Sequence, residues 1–369
     1  MPVDESLEEL ARLVDTAGGV VVGRTTQRRP TPDPAHYIGA GKLDEVIAER
    51  EATGYTMVVF DDPLSPSQQF NLERMLGVKV LDRSALILDI FAGRATTREA
   101  TLQVELAQHE YLLPRLRGQW QHLERTGASM GAIGTRGPGE TQLETDRRLI
   151  GGRISRLKRS IEQVQRQRAL QRSRRQRQGV PVVALVGYTN AGKSSLMRAL
   201  AGAEVFVADA VFATLDPVTR RVGSPTGEAF LLTDTVGFMQ KLPTQLISAF
   251  KATLEELQTA DLLLHVVDGT AEARDAQVKT VLETLHELEL DDLPVLTVVN
   301  KADGLVLPDG SPVETEADLG GLRAADYVDV DGEVLFTSAT TGLGVEALRE
   351  RLLYEFYGIA ATRAAYAEA

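Results

Sequence analysis

The sequence predicts an α/β protein built in three parts. Three observations carry that expectation: alternating helix and strand patterns at both ends of the chain, a change of period between them, and a charge balance that reverses in the middle. The parts are a small N-terminal parallel α/β domain over residues 1–93, an antiparallel helical hairpin over 94–178, and a larger α/β domain over 179–360. An alanine-rich tail over 361–369 follows. At 369 residues with 43% hydrophobic content, the chain has material for two or three domains.

In the first part, SLEELARLVDTAG is an amphipathic helix closed by glycine, GVVVG a short strand, KLDEVIAER a helix and TMVVFDD a strand. SPSQQFNLERML is a helix with Ser67 available as its cap, and VKVLDRS is a strand. Alternation of this kind builds a parallel sheet. Because the segment opens on a helix, a first strand is missing from the alternation.

From Thr101 the period changes. Leu102, Leu106, His109, Leu113, Leu116, Trp120 and Leu123 form a heptad-like stripe, and Ile150, Ile154, Leu157, Ile161 and Val164 form a second. Two such stripes separated by a loop predict a helical hairpin. Pro114 predicts a kink or a break in its first helix, since proline removes a backbone donor. SMGAIGTRGPGETQLETDRR, residues 129–148, is expected at the tip, roughly 35–45 Å from the base at 1.5 Å rise per residue.

The net charge is −12, yet residues 94–178 carry 18 Lys plus Arg against 8 Asp plus Glu, a net of +10 that leaves −22 elsewhere. From Arg147 to Arg177 the balance is 12 basic to 1 acidic, Glu162. A one-sided run fits contact with a polyphosphate backbone better than it fits a merely solvated helix face. No run of about 18 apolar residues and no basic-then-apolar leader is visible, so neither a membrane span nor a signal peptide is expected. The absence of cysteine excludes disulfides and thiolate metal sites and fits a reducing compartment, so the cytoplasm is the expected location.

The third part carries the chemistry. VVALVGYTNAGKSSLMRAL reads strand, loop, helix, and Gly187, Tyr188, Thr189, Asn190, Ala191, Gly192, Lys193 and Ser194 match G-x-x-x-x-G-K-S, with Ser195 following. In such a P-loop the backbone N–H groups close around phosphates, the lysine reaches the β/γ oxygens, and the serine hydroxyl faces Mg²⁺. VLTVVNKAD ends a strand on Asn300, Lys301 and Asp303. The Asp303 carboxylate can accept from both guanine N1–H and N2–H₂, a donor pair adenine lacks. LFTSAT supplies Ser338 and Ala339 for the other edge of the base. LLTDTVGF places Asp234 to hold a Mg²⁺-bound water, with Thr235 and Val236 leading to Gly237, whose N–H faces the γ-phosphate. In VFATLDPVTR, between these motifs, Phe212, Ala213, Thr214, Leu215 and Asp216 make a candidate switch with Thr214 as sensor of metal and γ-phosphate. Ser194, Thr214 and Asp234 are thus the candidate metal ligands, and Lys193, Thr214 and Gly237 the candidate catalytic groups. The third part therefore reads as a P-loop GTPase domain using GTP/GDP and Mg²⁺.

Phe238 follows D-x-x-G where Ras-like proteins have the glutamine that orients the attacking water. Slow intrinsic hydrolysis, completed by a partner or an ion, is the expectation. Asn190 is a candidate ligand for K⁺ beside the phosphates, and equally a loop-stabilising Asx turn.

GTRGPGETQLETDRR, LVGYTNAGKSSL, FATLDPVTR, LLTDTVGF and NKAD, with DRSALILDIFAGRA and QVELAQHEYLLPRL upstream, resemble the HflX family of translational GTPases over nearly the whole chain. The resemblance implies binding to the large ribosomal subunit, with the hairpin and its glycine-rich tip directed at ribosomal RNA, and GTP-dependent splitting of stalled ribosomes under stress. Arg136, Gly137, Gly139, Arg147 and Arg148 are then the candidate RNA contacts, since glycines let backbone approach RNA closely. Glu140, Glu144 and Asp146 can instead pair with nearby arginines. The chain departs from the family in its missing first strand, in Ser129 and Met130 where glycines are usual, and in the lack of a counterpart to the C-terminal domain of many bacterial members. An acidic insertion, LVLPDGSPVETEADLGGLRAADYVDVDGE, separates the two base motifs and suggests no function by itself. A monomer is expected. Two rival functions remain open on these residues: an ATP- or GTP-driven RNA remodeller, and a GTP-gated RNA-binding or assembly module with negligible turnover.

Overall fold

A computed structural model of the chain describes residues 3–127, 138–176, 179–202, 212, 214–224, 227–241, 257–330 and 332–358. The chain divides into two compact units, residues 1–166 with 241–249 and residues 167–240 with 250–369.

The first unit opens with α1 (Val3–Thr16) and α2 (Ala40–Thr53), followed by β1 (Met57–Phe60), α3 (Pro66–Leu76), β2 (Lys79–Asp82) and α4 (Arg83–Arg94). β1 and β2 pair in parallel, Met57 opposite Lys79 and Phe60 opposite Asp82. Leu43, Val46, Leu72, Leu76 and Val80 form the core beneath them. α3 is capped by Ser65, which accepts from the Gln68 N–H at 3.2 Å while Gln68 Oε1 accepts from the Ser65 N–H at 2.9 Å. Ser67 therefore lies inside the helix and is not its cap: Pro66 takes the first helical position, where its missing N–H costs nothing. GVVVG is not a strand. Val20–Val22 belong to no strand and share no backbone hydrogen bond among the described residues, so their pattern finds no ladder to join. Arg83 is fully buried, held by Glu9 at 2.8 Å and Asp61 at 2.9 Å.

α5 (Arg98–Gly127) runs through Pro114 without interruption, so the proline marks no break. α6 (Pro138–Gln176) begins well before Ile150, where the apolar stripe starts. Proline at a helix start followed by Glu140 in the first turn explains the early onset, because both favour helix N-termini. Residues 138–148 of the expected tip loop are helical, and residues 128–137 lie outside the described ones. Leu102 and Leu106 pack against Ile154, Leu157 and Ile161, and Glu105 and Glu110 take Arg153 at 2.6 Å and Lys158 at 2.9 Å.

The second unit is a six-stranded sheet in the order β4-β5-β3-β6-β7-β8, from β3 (Val182–Gly187), β4 (Val218–Gly223), β5 (Ala229–Asp234), β6 (Leu262–Asp268), β7 (Val295–Asn300) and β8 (Val334–Phe336). Only β4 is antiparallel. α7 (Lys193–Ala201) and the helix Val345–Tyr357 cover a core of Leu185, Leu196, Leu200, Leu264, Leu348 and their neighbours. The acidic insertion is built rather than appended. Leu305, Val313 and Val328 pack with Val267 and Val299 in a second core, and Glu316 accepts from the Gly344 N–H at 2.8 Å at the start of the last helix. Among the described residues, no helix is long and apolar enough to cross a membrane.

His265, in the middle of β6, is fully buried. Burial, helped by the nearby Lys193 charge, pushes its pKa down to about 4. The unfolded chain binds a proton near pH 6.5 that the folded chain refuses. The stability contribution is therefore complete above about pH 6.5 and is lost as pH falls towards 4, by about 1.4 kcal/mol per pH unit at most. Unfolding midpoints between pH 7.5 and 4.5 should fall less steeply for His265→Phe than for the parent; equal slopes would show that other groups govern the acid response.

Candidate functional site

Nucleotide pockets of open α/β sheets form beyond the carboxyl ends of the strands, and the candidate residues gather there. β3 ends on Gly187 because only glycine fits: its φ is 151°, and a Cβ would meet the Val266 carbonyl oxygen at 2.3 Å. The loop turns at Asn190 (φ 62°) and Gly192 (φ 94°) into the N-terminus of α7, where unpaired N–H groups favour an anion. Lys193 is buried and curls back over the loop, donating from Nζ to the carbonyls of Gly187 at 3.0 Å and Tyr188 at 2.8 Å. Burial pushes its pKa down to about 8 against the pull of Asp234. A phosphate would exchange those two neutral acceptors for charged ones.

Ser194, Thr214 and Asp234 converge. Asp234 Oδ2 accepts from Ser194 Oγ at 2.6 Å and Thr214 Oγ1 at 2.8 Å, and the two hydroxyls lie 2.8 Å apart. Burial raises the Asp234 carboxyl above its ordinary value, opposed by Lys193 and the two hydroxyls. Asp234 Oδ1 is buried with no hydrogen-bond partner. Among the described residues, no cluster of three or more His, Asp or Glu could hold a metal on its own. One carboxylate and two hydroxyls suit a cation whose remaining ligands are phosphate and water.

Thr235 Oγ1 donates to the Leu185 carbonyl at 2.6 Å and Val236 is buried, so the strand end is fixed before Gly237. A Cβ at Gly237 would come within 2.9 Å of both Lys193 Nζ and the Thr189 Cα. Phe238 is held by the P-loop: its N–H donates to Gly187 O at 3.0 Å and its carbonyl accepts from the Thr189 N–H at 2.8 Å. Its ring is buried. Phe212 and Leu215 are buried apolar flanks of Thr214, while Ser195 and Asp216 are partly exposed. Ala213 lies outside the described residues.

The base motif is tied to the phosphate loop through a residue whose bracing role the sequence reading did not single out. Asn300 donates from Nδ2 to the Ala191 carbonyl at 2.9 Å, and its Oδ1 accepts from the Ala339 N–H at 3.1 Å and from Thr337 Oγ1 at 3.3 Å. A Cβ at Gly192 would sit 2.2 Å from that Nδ2, so the second P-loop glycine clears the brace. Ser338 is buried and accepts from the Thr341 N–H at 3.1 Å. Lys301 (φ 63°) pairs with Asp268 at 2.6 Å, and Asp303 stands exposed in a single 3₁₀ turn. Asn300→Ala strands three groups. It should cost about 2–4 kcal/mol and lower the melting temperature of this unit by several degrees, with weaker GDP binding in a fluorescent-nucleotide titration. An unchanged melt would show that the loop does not need the brace.

Of the remaining candidates, Arg147 and Arg148 are exposed on α6 and Gly139 lies in its first turn. Arg136 and Gly137 lie outside the described residues.

A phosphate loop, a three-oxygen cluster beside its lysine and a braced Asn-Lys-x-Asp turn define a P-loop GTPase. Family models match residues 4–92 as a GTP-binding GTPase N-terminal region, 94–175 as a GTP-binding GTPase middle region and 182–301 as a 50S ribosome-binding GTPase. A GTPase HflX of Caldanaerobacter subterraneus is 50% identical over 84% of this chain and 72% of its own length. The GTPase HflX of Escherichia coli is 44% identical over 94% of this chain and 79% of its own. A crystal structure described as a complex of SsGBP and GDP superposes with TM-score 0.50 at 25% identity, covering 96% of this chain and 97% of that one. The chain belongs to the HflX family of GTPases. It binds GTP and GDP, and its reaction is the hydrolysis of GTP.

Proposed function

We propose that the GTP-bound protein docks its basic helices on the large ribosomal subunit, splits stalled ribosomes under stress, and is released when hydrolysis resets the switch. The observation that carries this reading is the one-sided charge from Arg147 to Arg177, 12 basic residues to 1 acidic, most of it in the sequence of the 39-residue helix Pro138–Gln176. Such a helix offers a dense array of phosphate contacts, and the glycine-rich segment before it can bring backbone close to RNA. The name of the third family model supports the ribosome as partner.

At the nucleotide, Lys193 neutralises the β/γ oxygens and the Gly237 N–H bonds the γ-phosphate. Ser194, Thr214 and Asp234 hold Mg²⁺, which supplies charge neutralisation at the phosphates; the partnerless Asp234 Oδ1 fits that role. With Phe238 buried and unable to orient water, hydrolysis depends on a further group, from the ribosome or from K⁺ held by Asn190. Multiple-turnover hydrolysis in K⁺ and in Na⁺ buffer, with and without isolated large subunits, tests this. Strong stimulation by subunits that deletion of residues 137–139 removes is the expected result. Binding of GTP with no stimulation would overturn the ribosomal reading, and equal rates in the two salts would remove the K⁺ site.

A further inference from the structure

The D-x-x-G turn is a bulge in the sheet. β3 and β5 pair in parallel as far as Leu185 opposite Asp234, and the pairing resumes as a single bridge between Tyr188 and Phe238. Between those points Val186 and Gly187 face three residues, Thr235, Val236 and Gly237. An extra residue of this kind bends a strand and re-aims a backbone group. Here the group is the Gly237 N–H, which has no hydrogen-bond partner among the described residues. Thr235 on the Leu185 carbonyl holds the bulge upstream, and the two backbone bonds of Phe238 to the P-loop hold it downstream. A side chain closes the downstream end further: the Gln240 N–H donates to the Tyr188 hydroxyl at 3.1 Å. Tyr188 is 4% exposed, and its carbonyl accepts from Lys193 Nζ at 2.8 Å. The same residue thus meets the phosphate-loop lysine with its backbone and the segment after Gly237 with its phenol.

We propose that Tyr188 is a positioning residue for the γ-phosphate: its hydroxyl anchors Gln240, keeps the bulge closed at its downstream end, and so fixes where the Gly237 N–H points. The proposal rests on the reading above that Gly237 meets the γ-phosphate. A donor displaced by about 1 Å loses much of its effect on a reacting phosphate, so an anchor three residues away governs the contact. The position that carries a water-orienting glutamine in Ras-like proteins here serves the pairing with the P-loop, through both backbone groups of the buried Phe238. Because Gly237 faces the γ-phosphate and no other part of the nucleotide, the influence of the tyrosine hydroxyl is confined to the triphosphate.

Tyr188→Phe keeps the ring in the core and removes the hydroxyl. With the full chain and Mg²⁺, GTPγS and GDP compete against a fluorescent guanine nucleotide. GTPγS should bind about fivefold more weakly to the variant, the effect of one neutral hydrogen bond, with GDP unchanged. The kcat/KM for GTP should fall by at least that factor, and amide exchange at Gln240 should quicken. Gly237→Ala is the companion variant, since its Cβ would meet Lys193 Nζ and the Thr189 Cα at 2.9 Å and displace the same N–H; it too should lose GTPγS selectively. Equal weakening of both nucleotides by Tyr188→Phe would make the tyrosine a structural part of the P-loop and overturn the proposal. So would loss of GTPγS by Gly237→Ala with none by Tyr188→Phe. A preference unchanged in both variants would overturn the placement of Gly237 at the γ-phosphate, and the proposal with it.

Discussion

Lys193→Ala should lower kcat/KM for GTP by three orders of magnitude or more and weaken nucleotide binding itself. The side chain is buried at the start of α7 with its ammonium on the Gly187 and Tyr188 carbonyls, the position from which it would meet the β/γ oxygens. Preorganised charge facing phosphoryl oxygens contributes on the order of 10³-fold or more to such reactions, and no other lysine or arginine among the described residues donates into this loop. Lys193→Arg should fail nearly as badly, because a planar guanidinium is too large for a pocket closed by Gly237, where even a Cβ would lie 2.9 Å from the ammonium. Single-turnover hydrolysis at saturating GTP separates binding from chemistry. Retention of more than a tenth of the parental rate by Lys193→Ala would mean that another group bears the phosphate charge.

Asp303→Asn should invert base selection. The exposed carboxylate of the 3₁₀ turn Ala302–Gly304 can accept two hydrogen bonds from guanine. An amide offers a donor where guanine also has donors, leaving polar groups unpaired in the closed complex. Sites that recognise a base by paired hydrogen bonds reject the mismatched one by about 10⁴-fold. Xanthine, which carries an acceptor in place of the N2 amine, should regain much of that loss. Competition by GDP, XDP and ADP against a fluorescent guanine nucleotide gives the ranking directly: GDP first for the parent and XDP first for the variant. A variant that still prefers GDP would move base recognition elsewhere, with the Ser338–Ala339 loop the next place to look.

Much of the site was legible because its chemistry is local. Gly187, Gly192, Lys193 and Ser194 fall within eight residues, and the strand before and helix after them follow from the same stretch. Asp234 and Asn300 end strands that their own apolar runs announce. What was not legible lies between distant segments. Asn300 reaches Ala191 across 109 positions, and no pattern near either residue signals that bond. The Ser65–Gln68 capping box was, by contrast, available: Ser followed by Gln at the third position after it marks a helix start, and Pro66 between them strengthens it.

The sequence by itself determined the class of chemistry, most of the helices and strands that position it, and the reversal of charge over residues 94–178, because loop glycines, apolar periods and ionised side chains act over a few residues. The tertiary structure alone decided that Ser194, Thr214 and Asp234 share one carboxylate oxygen and leave the other without a partner. It alone decided that the acidic insertion is packed, through Leu305, Val313 and Val328. It also decided that Val20–Val22, a strand by composition, is not one. A helix closes its hydrogen bonds within itself and can be read from one segment, whereas a strand exists only if another strand lies beside it.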